Sequence, residues 1–414
     1  MKYIFLYKNI YNTSKTTLDM KYILTTFAEG NGPYVKTIGL TLAVNRELEE
    51  RELEPFKIIV PHIYGEKQKR IIEEEFGKNK DIYLDEFQGR ILKEVLFKGE
   101  HFQQNLEHLI EKHEPLQEKL FDYLNNSLSV TDLNGDEHKV KSSDISLELA
   151  HNPRFSSGLP LSFLITEGYI SEILQRTIDD PYLSGQFNPN VLREAKEKVF
   201  DKSETNRSLS LMSEPAIFSF DKERKRLRGE IFTPPFTHPP KKNYEPAKDG
   251  MYVSVTGIEG LQPLLDCVRD FGMNLYSSNG NLGERRHPDF VTNDAVKYVF
   301  ARSGWSSIWS AMLSETPFIT PEYKDGDNPE IYFNQITLRS LGIGVIYRGQ
   351  SPEVILEEAD STRHQLHRIN EYLVQHYGTT DGINYMANVI ADYLEGKDIS
   401  GYQNKKSLFS NNTT

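Results

Sequence analysis

The feature that most limits what this chain can fold into is a proline-rich stretch near its middle. Residues 233–246 read TPPFTHPPKKNYEP, with five prolines in fourteen positions. Proline fixes φ and removes a backbone donor, so the run is a stiff extended connector rather than the inside of a domain. The same order of elements opens on each side of it. Upstream, an apolar β-run from Tyr22 to Phe27 meets a turn holding Gly30, Gly32 and Pro33, then a helical repeat through Val35, Ile38, Leu42 and Val44. Downstream, MYVSVTGIEG (251–260) runs through a glycine turn into the repeat Leu261, Leu264, Leu265, Val268. Strand, glycine turn, helix is the opening unit of a parallel α/β sheet.

The chain therefore reads as α/β, with two Rossmann-like domains facing across a cleft, and ligands are expected beyond the carboxyl ends of the strands. The expected bounds are 20–232 for the first domain, 233–248 for the linker, 249–400 for the second domain with its closing helices, and 401–414 for a polar tail. Residues 1–19 are an extension or an extra strand, with Met20 an alternative start. Further strands are expected at 57–61, 273–278, 289–293, 298–304, 317–321 and 342–347, and amphipathic helices at 168–178 and 189–200.

Composition narrows the function classes. At 414 residues the chain exceeds one ordinary core. A net charge of −12 argues against general nucleic-acid binding. No apolar run is long enough to span a bilayer, and the first residues lack the pattern of a signal peptide. The single cysteine, Cys267, sits on an apolar helical face and reads as a buried small hydrophobe. A cytoplasmic location is the expectation.

The chemistry concentrates in Phe300–Asn334, FARSGWSSIWSAMLSETPFITPEYKDGDNPEIYFN. A strand ends at Arg302-Ser303-Gly304-Trp305-Ser306-Ser307 and a helix follows. Small residues at such a turn let backbone N–H groups approach an anion, and the helix dipole favours negative charge there. The plain alternative is an N-capped helix. Then come Pro317, the strand FITP, a loop with Lys324 and Asp325, Glu330, Asn334 and Gly342. This order resembles the nucleotide-binding half of GT-B glycosyltransferases. It is similar to the peptidoglycan N-acetylglucosaminyltransferase family, and to the H-C-G-W-N-S box of UDP-glycosyltransferases with Gly304, Trp305 and Ser307 in register.

The resemblance implies a metal-independent hexosyltransferase whose C-terminal helices pack back toward the N-terminal domain. No cofactor is expected beyond a UDP- or dTDP-sugar co-substrate. The acceptor would be a small molecule, a lipid-linked group or a protein. Arg302, Ser303, Gly304, Ser306 and Ser307 would hold the diphosphate, with Thr256 and Gly257 approaching from the other side. Backbone at Phe290 and Val291 would read the base, and Glu330 and Asn334 the donor sugar. Two positions depart from the pattern: Ser310 stands where the family has its ribose-binding glutamate, and Glu315 where it has a glycine.

The general base is the missing part. The first glycine turn has no histidine, so its only ionisable group, Glu29, and His62 after the next strand are the catalytic candidates. His151, Arg154, Ser156 and Ser157 form an acceptor-side candidate loop, with turn chemistry as the alternative. The basic run Lys222–Arg228 reads as a solvated hairpin face. Asp325, Asp327 and His238 do not compose a metal site; the Asp325–Asn328 stretch reads as a turn. A nucleotide-sugar 2-epimerase of the same fold and a non-catalytic partner protein are the rival readings.

Overall fold

The structure is a computed structural model that describes residues 21–27, 30–96, 101–205, 207–226, 229–254, 261–278, 280 and 282–409. Nine strands form the first sheet: β1 (Tyr22–Phe27), β2 (Lys57–Pro61), β3 (Ile82–Asp85), β4 (Leu128–Asp132), β5 (Glu137–Val140), β6 (Ile145–His151), β7 (Leu161–Thr166), β8 (Leu209–Ser213) and β9 (Glu230–Thr233). Their order is β5-β4-β3-β2-β1-β6-β7-β8-β9. All neighbours run parallel except β3–β4 and β4–β5, an antiparallel edge. The second sheet has six strands: β10 (Gly250–Ser254), β11 (Asn274–Ser277), β12 (Glu284–Arg285), β13 (Val296–Ala301), β14 (Phe318–Pro321) and β15 (Val345–Tyr347). It is parallel throughout, in the order β12-β11-β10-β13-β14-β15.

The central strands are continuous apolar runs because helices cover both faces of a parallel sheet. Ile58, Ile59 and Val60 of β2 are wholly buried, as are Leu147 and Leu149 of β6. Under the first sheet Glu148 is buried but saturated. It accepts from Thr26, Ser157, Ser162 and Arg207, so four segments close on one carboxylate.

The expected strand at 289–293 is instead a single 3₁₀ turn, Pro288–Thr292. The apolar Phe-Val-Thr run suits a strand, but Pro288 opens a helical turn and the His287 side chain accepts from Asp289 N–H. Of the basic run 222–228, residues 227 and 228 lie outside the described residues; Lys222 and Lys225 are exposed, as a solvated face requires, whereas Arg224 and Arg226 are half-buried. Arg224 lies between Glu172 and Glu230, each 3.0 Å away, and Arg226 lies over the Phe232 ring.

The two sheets are locked together at several points. The helix Gly382–Leu394 returns across the first helix, Asn31–Glu50, where Arg51 donates to Asp392 at 2.7 Å and to Asn388 at 2.8 Å. The buried Glu214 carboxylate accepts from Tyr377 Oη at 2.6 Å and Leu408 N–H at 2.9 Å. Trp309 Nε1 donates to the Pro215 carbonyl at 2.8 Å. The contacts of Glu214 and Trp309 fix the facing edges of the two sheets and so set the walls of the space between them.

Candidate functional site

The second sheet offers its wall at the end of β13. After Ala301 the chain turns through Arg302, Ser303 and Gly304 into the helix Trp305–Leu313. Gly304 is the cap residue, and the space where a Cβ would stand is open. The first N–H groups of a helix have no partner within it, so this end presents donors and the positive pole of the dipole. Ser307 is half-buried beside it, while Ser306 is exposed with its Oγ facing Gly32 at the start of the first helix. Arg302 is ion-paired with Asp327, and both reach open space.

That space is a cleft of about 490 Å³. Ser254, Arg302, Gly304, Ser307, Asp327 and Glu330 line it from the second domain, and Asn152 and Arg154 from the first. Apolar side chains including Phe102, Leu106, Ile170, Ile173 and Phe200 close the first domain's side. One wall is therefore polar with anion-binding donors, and the opposite wall mixes apolar side chains with His101, Asn105, Asn152 and Arg154.

Some residues expected at the site are committed elsewhere. Ser303 is completely buried; its hydroxyl donates to the Ile331 carbonyl and its own carbonyl accepts from Asn334 Nδ2 at 2.6 Å. Asn334 is equally buried and also accepts from Trp305 Nε1 at 2.7 Å. These two fasten the helix Trp305–Leu313 to the helix Pro329–Leu341 and are not free for phosphate or sugar. Ser157 spends its hydroxyl on Glu148, and the Ser156 backbone is bound on both sides by Gln117. Neither lines the cleft.

Phe290 and Val291 are buried in the 3₁₀ turn, with Phe290 N–H and C=O both used within it. His62 stands at the end of β2, 3.9 Å from Glu86, and is not among the cleft-lining residues. Glu29, Thr256 and Gly257 lie outside the described residues.

A charged cluster that sequence reasoning did not assemble lies beside the cleft. His151 ends β6 and Glu167 follows β7, the adjacent parallel strand. Their side chains meet in the interior, His151 Nε2 to Glu167 Oε2, at 2.8 Å. Nδ1 of the same ring is enclosed and, among the described residues, has no hydrogen-bond partner, and His151 is not among the cleft-lining residues. Asn152 adds a donor to the same carboxylate at 3.4 Å and is held by Thr166.

Lys36 projects from the first helix onto the Trp309 ring, 4.6 Å from its centroid, with its ammonium enclosed and, among the described residues, without a hydrogen-bond partner. Burial pulls Lys36 down to about 8, against the attraction of Glu167. Burial alone would raise Glu167, but His151 and then Lys36 hold its carboxyl below the usual range. Glu330 is pushed up, first by burial and then by Glu167, with His151 and Arg302 pulling the other way. Lys36, Glu167, His151, Glu330 and Arg302 thus form one electrostatic chain across the domain joint. The local signal for it was thin: a histidine and a glutamate each at the carboxyl end of a strand.

Among the described residues no group of three His, Cys, Asp or Glu side chains is placed to hold a metal ion. Asp325 instead accepts from Tyr182 Oη at 2.6 Å, and His238 pairs with Asp381 at 3.0 Å. No helix among them is long and apolar enough to cross a membrane.

No protein-family model matches the chain, and no curated protein matches it in sequence. Solved structures do match its shape. TcCGT1, solved in complex with UDP, superposes with a TM-score of 0.58 at 9% identity, covering 91% of this chain and 99% of its own. UGT71G1 of Medicago truncatula, complexed with UDP-glucose, gives 0.54 at 12%, covering 92% and 100%. The glycosyltransferase SnogD from Streptomyces nogalater gives 0.53 at 13%, covering 90% and 100%. These likenesses cover about nine-tenths of the chain and so run through both sheets. With two parallel sheets opposed across a polar cleft and a match spanning nine-tenths of its length, this chain has the GT-B fold of glycosyltransferases.

Proposed function

We propose that the protein transfers a hexose-type sugar from a nucleoside-diphosphate donor, UDP- or dTDP-linked, to a hydroxyl acceptor bound on the first domain. The observation that carries the reading is the cleft itself. An open glycine cap, a helix N-terminus, Arg302 and Ser307 face Asn152 and Arg154 across it. Those donors suit a diphosphate, and they would act most strongly as charge grows on the leaving group.

In this reading the general base is placed at His151; Glu29 of the first glycine turn lies outside the described residues. Nδ1 is enclosed beside the cleft, so closing of the domains would have to bring the acceptor hydroxyl to it; it would then take that proton as the oxygen bonds to the anomeric carbon. The bond from that carbon to the β-phosphate oxygen breaks, and the diphosphate leaves with the electron pair. Glu167 keeps the imidazole in the required tautomer and stabilises the cation that forms. Glu330, at the cleft and raised by burial, would hold a sugar hydroxyl. The reaction needs no metal in this account, and a single buried cysteine suits a reducing compartment.

The test is turnover of a panel of UDP- and dTDP-sugars with mixed phenolic and alcoholic acceptors. His151→Asn should lower kcat by about 100-fold or more while leaving nucleotide affinity within about twofold. Equal turnover in that variant removes His151 as the base. Epimer formed from the nucleotide sugar alone would point to the epimerase reading instead.

A further inference from the structure

The first-domain wall of the cleft presents a guanidinium that the chain does not neutralise. Arg154 lies half-buried in the loop between β6 and β7, with its charge 5.3 Å from the centre of the Phe200 ring. One of its five N–H donors goes to the Asn152 carbonyl at 3.3 Å. Among the described residues it makes no ion pair. Arg302, the other arginine of the cleft, is already paired with Asp327. The carboxyl near enough to feel Arg154 is Glu204, whose oxygens are spent on Ile170 N–H, Ser171 N–H and the Ser171 hydroxyl. Burial also pushes Glu204 up to about 7, so it is a partial counter-charge at most.

The surroundings of Arg154 are apolar. Phe102, Leu106, Leu109, Ile170, Ile173 and Phe200 line the same wall, and among the described residues the first domain adds no acidic side chain to the cleft. The donors suited to a diphosphate, at Gly304, Ser307 and Arg302, stand on the second domain instead. A phosphate drawn to Arg154 would leave its other oxygens facing hydrocarbon, which is costly. A carboxylate on an apolar body satisfies both the planar donor fork and the side chains around it.

The loop is held in place by the helix that also builds the wall. His113 Nε2 is hydrogen-bonded to the Arg154 carbonyl at 3.1 Å, and the His113 ring stacks on Phe155. Gln117 accepts from Ser156 N–H at 2.9 Å and donates to the Ser156 carbonyl at 2.8 Å. Both belong to the helix Phe102–Leu124, which supplies Phe102, Leu106 and Leu109 to the cleft. The charge and the apolar surface therefore keep a fixed spacing, as selection of one kind of molecule requires.

We infer that the acceptor is an apolar molecule bearing a carboxylate besides the hydroxyl that reacts, and that Arg154 selects it through a bidentate pair. This rests on the glycosyl-transfer reading above. Arg154 acts here on specificity, leaving the proton and the diphosphate to other residues.

Isothermal titration of the full chain with two hydroxyaryl acids, 4-hydroxyphenylacetate and 6-hydroxy-2-naphthoate, and with their carboxamides tests this. At least one acid should bind in the millimolar range or tighter, and about tenfold more tightly than its amide. Arg154→Met, which keeps an apolar stem, should abolish that preference, and Arg154→Lys, which keeps the charge but not the fork, should restore part of it. With a UDP-sugar donor, the acid-to-amide ratio of kcat/KM should fall about tenfold in Arg154→Met. A ratio cancels any share Arg154 has in holding the donor. Circular dichroism of each variant guards against misfolding. The inference is overturned if neither acid binds at about 10 mM, if acid and amide bind alike, or if the preference survives Arg154→Met. It is also overturned if that variant weakens UDP and leaves the acid preference intact, which would assign Arg154 to the diphosphate. Acid preference without any UDP binding would overturn the transfer reading, and the acceptor role with it, while the carboxylate site stays.

Discussion

Two asparagines show how residue type alone misleads about role. Asn334 and Asn152 are both polar residues near the site, yet only Asn152 lines the cleft. Asn334 is fully enclosed, satisfying Trp305 Nε1 and the Ser303 carbonyl at once. Truncating it would strand both groups in the interior, and a buried unsatisfied group is costly. Asn334→Ala should therefore destabilise the protein by about 2–3 kcal/mol in chemical denaturation, more than a lost sugar contact would. Stability unchanged within about 0.5 kcal/mol would return Asn334 to the surface of the site.

Lys36 is the converse case, a charge kept inside with no hydrogen-bond partner among the described residues and lying on an indole of the other domain. Its helix position was legible from the repeat Val35, Ile38, Leu42, but its depth was not, because a lysine on a helix usually snorkels to water. The same holds for His151 and Glu167. Their meeting depends on the register of β6 against β7, a property that no local pattern encodes.

At the scale of elements, caps and close approaches decide which helices hold. The helix Ile170–Asp179 lines the cleft through Ile170 and Ile173, and it is started by a distant residue. Glu204 accepts from Ile170 N–H at 2.7 Å and from Ser171 N–H at 3.1 Å. Burial is the largest influence on Glu204 and raises it from 4.5 to about 7 despite those bonds. A carboxyl raised by folding stabilises the fold fully below its unfolded value, and that contribution is lost as pH rises through the folded one. Stability should accordingly fall between pH 4.5 and 7 by up to roughly 3 kcal/mol from this group. Glu204→Gln should flatten that part of the pH–stability curve measured by urea unfolding, and an unchanged slope would remove Glu204 as its source.

The helix Gly382–Leu394 begins against the proline linker, and a Cβ on Gly382 would stand 2.0 Å from the Pro235 carbonyl oxygen. Gly382→Ala should lower stability by about 2 kcal/mol or more, read from thermal unfolding. A neutral result would mean the linker yields easily.

Much at this scale was readable. β2 coincides with the apolar run KIIVP, and the last long helix with GINYMANVIADYL, because periodicity and flanking turn residues agreed there. The 3₁₀ turn at Pro288–Thr292 was misread because its β-branched composition outweighed one proline. The β4–β5 edge hairpin was missed, since its sequence is short and mostly polar.

At the scale of the whole molecule, the two-sheet plan followed from the repeated strand–glycine–helix opening and the linker between. What the sequence could not supply was the facing of one sheet on the other. Glu214 and Trp309 set that through bonds spanning long stretches of chain. The facing selects which of the candidate residues share a space: Arg302, Gly304, Ser307 and Glu330 do, with Arg154 opposite, whereas Ser303, Asn334, Ser156 and Ser157 do not. The outcome is a polar wall against a partly apolar one, the arrangement expected where a diphosphate and a less polar acceptor meet.

The most direct measurement is the affinity of the full chain for UDP and dTDP by isothermal titration, repeated on Arg302→Ala. Binding of at least one of them is expected in the micromolar to low-millimolar range, weakened about tenfold or more by the substitution. No binding of either nucleotide at about 10 mM, or binding indifferent to Arg302, would contradict it.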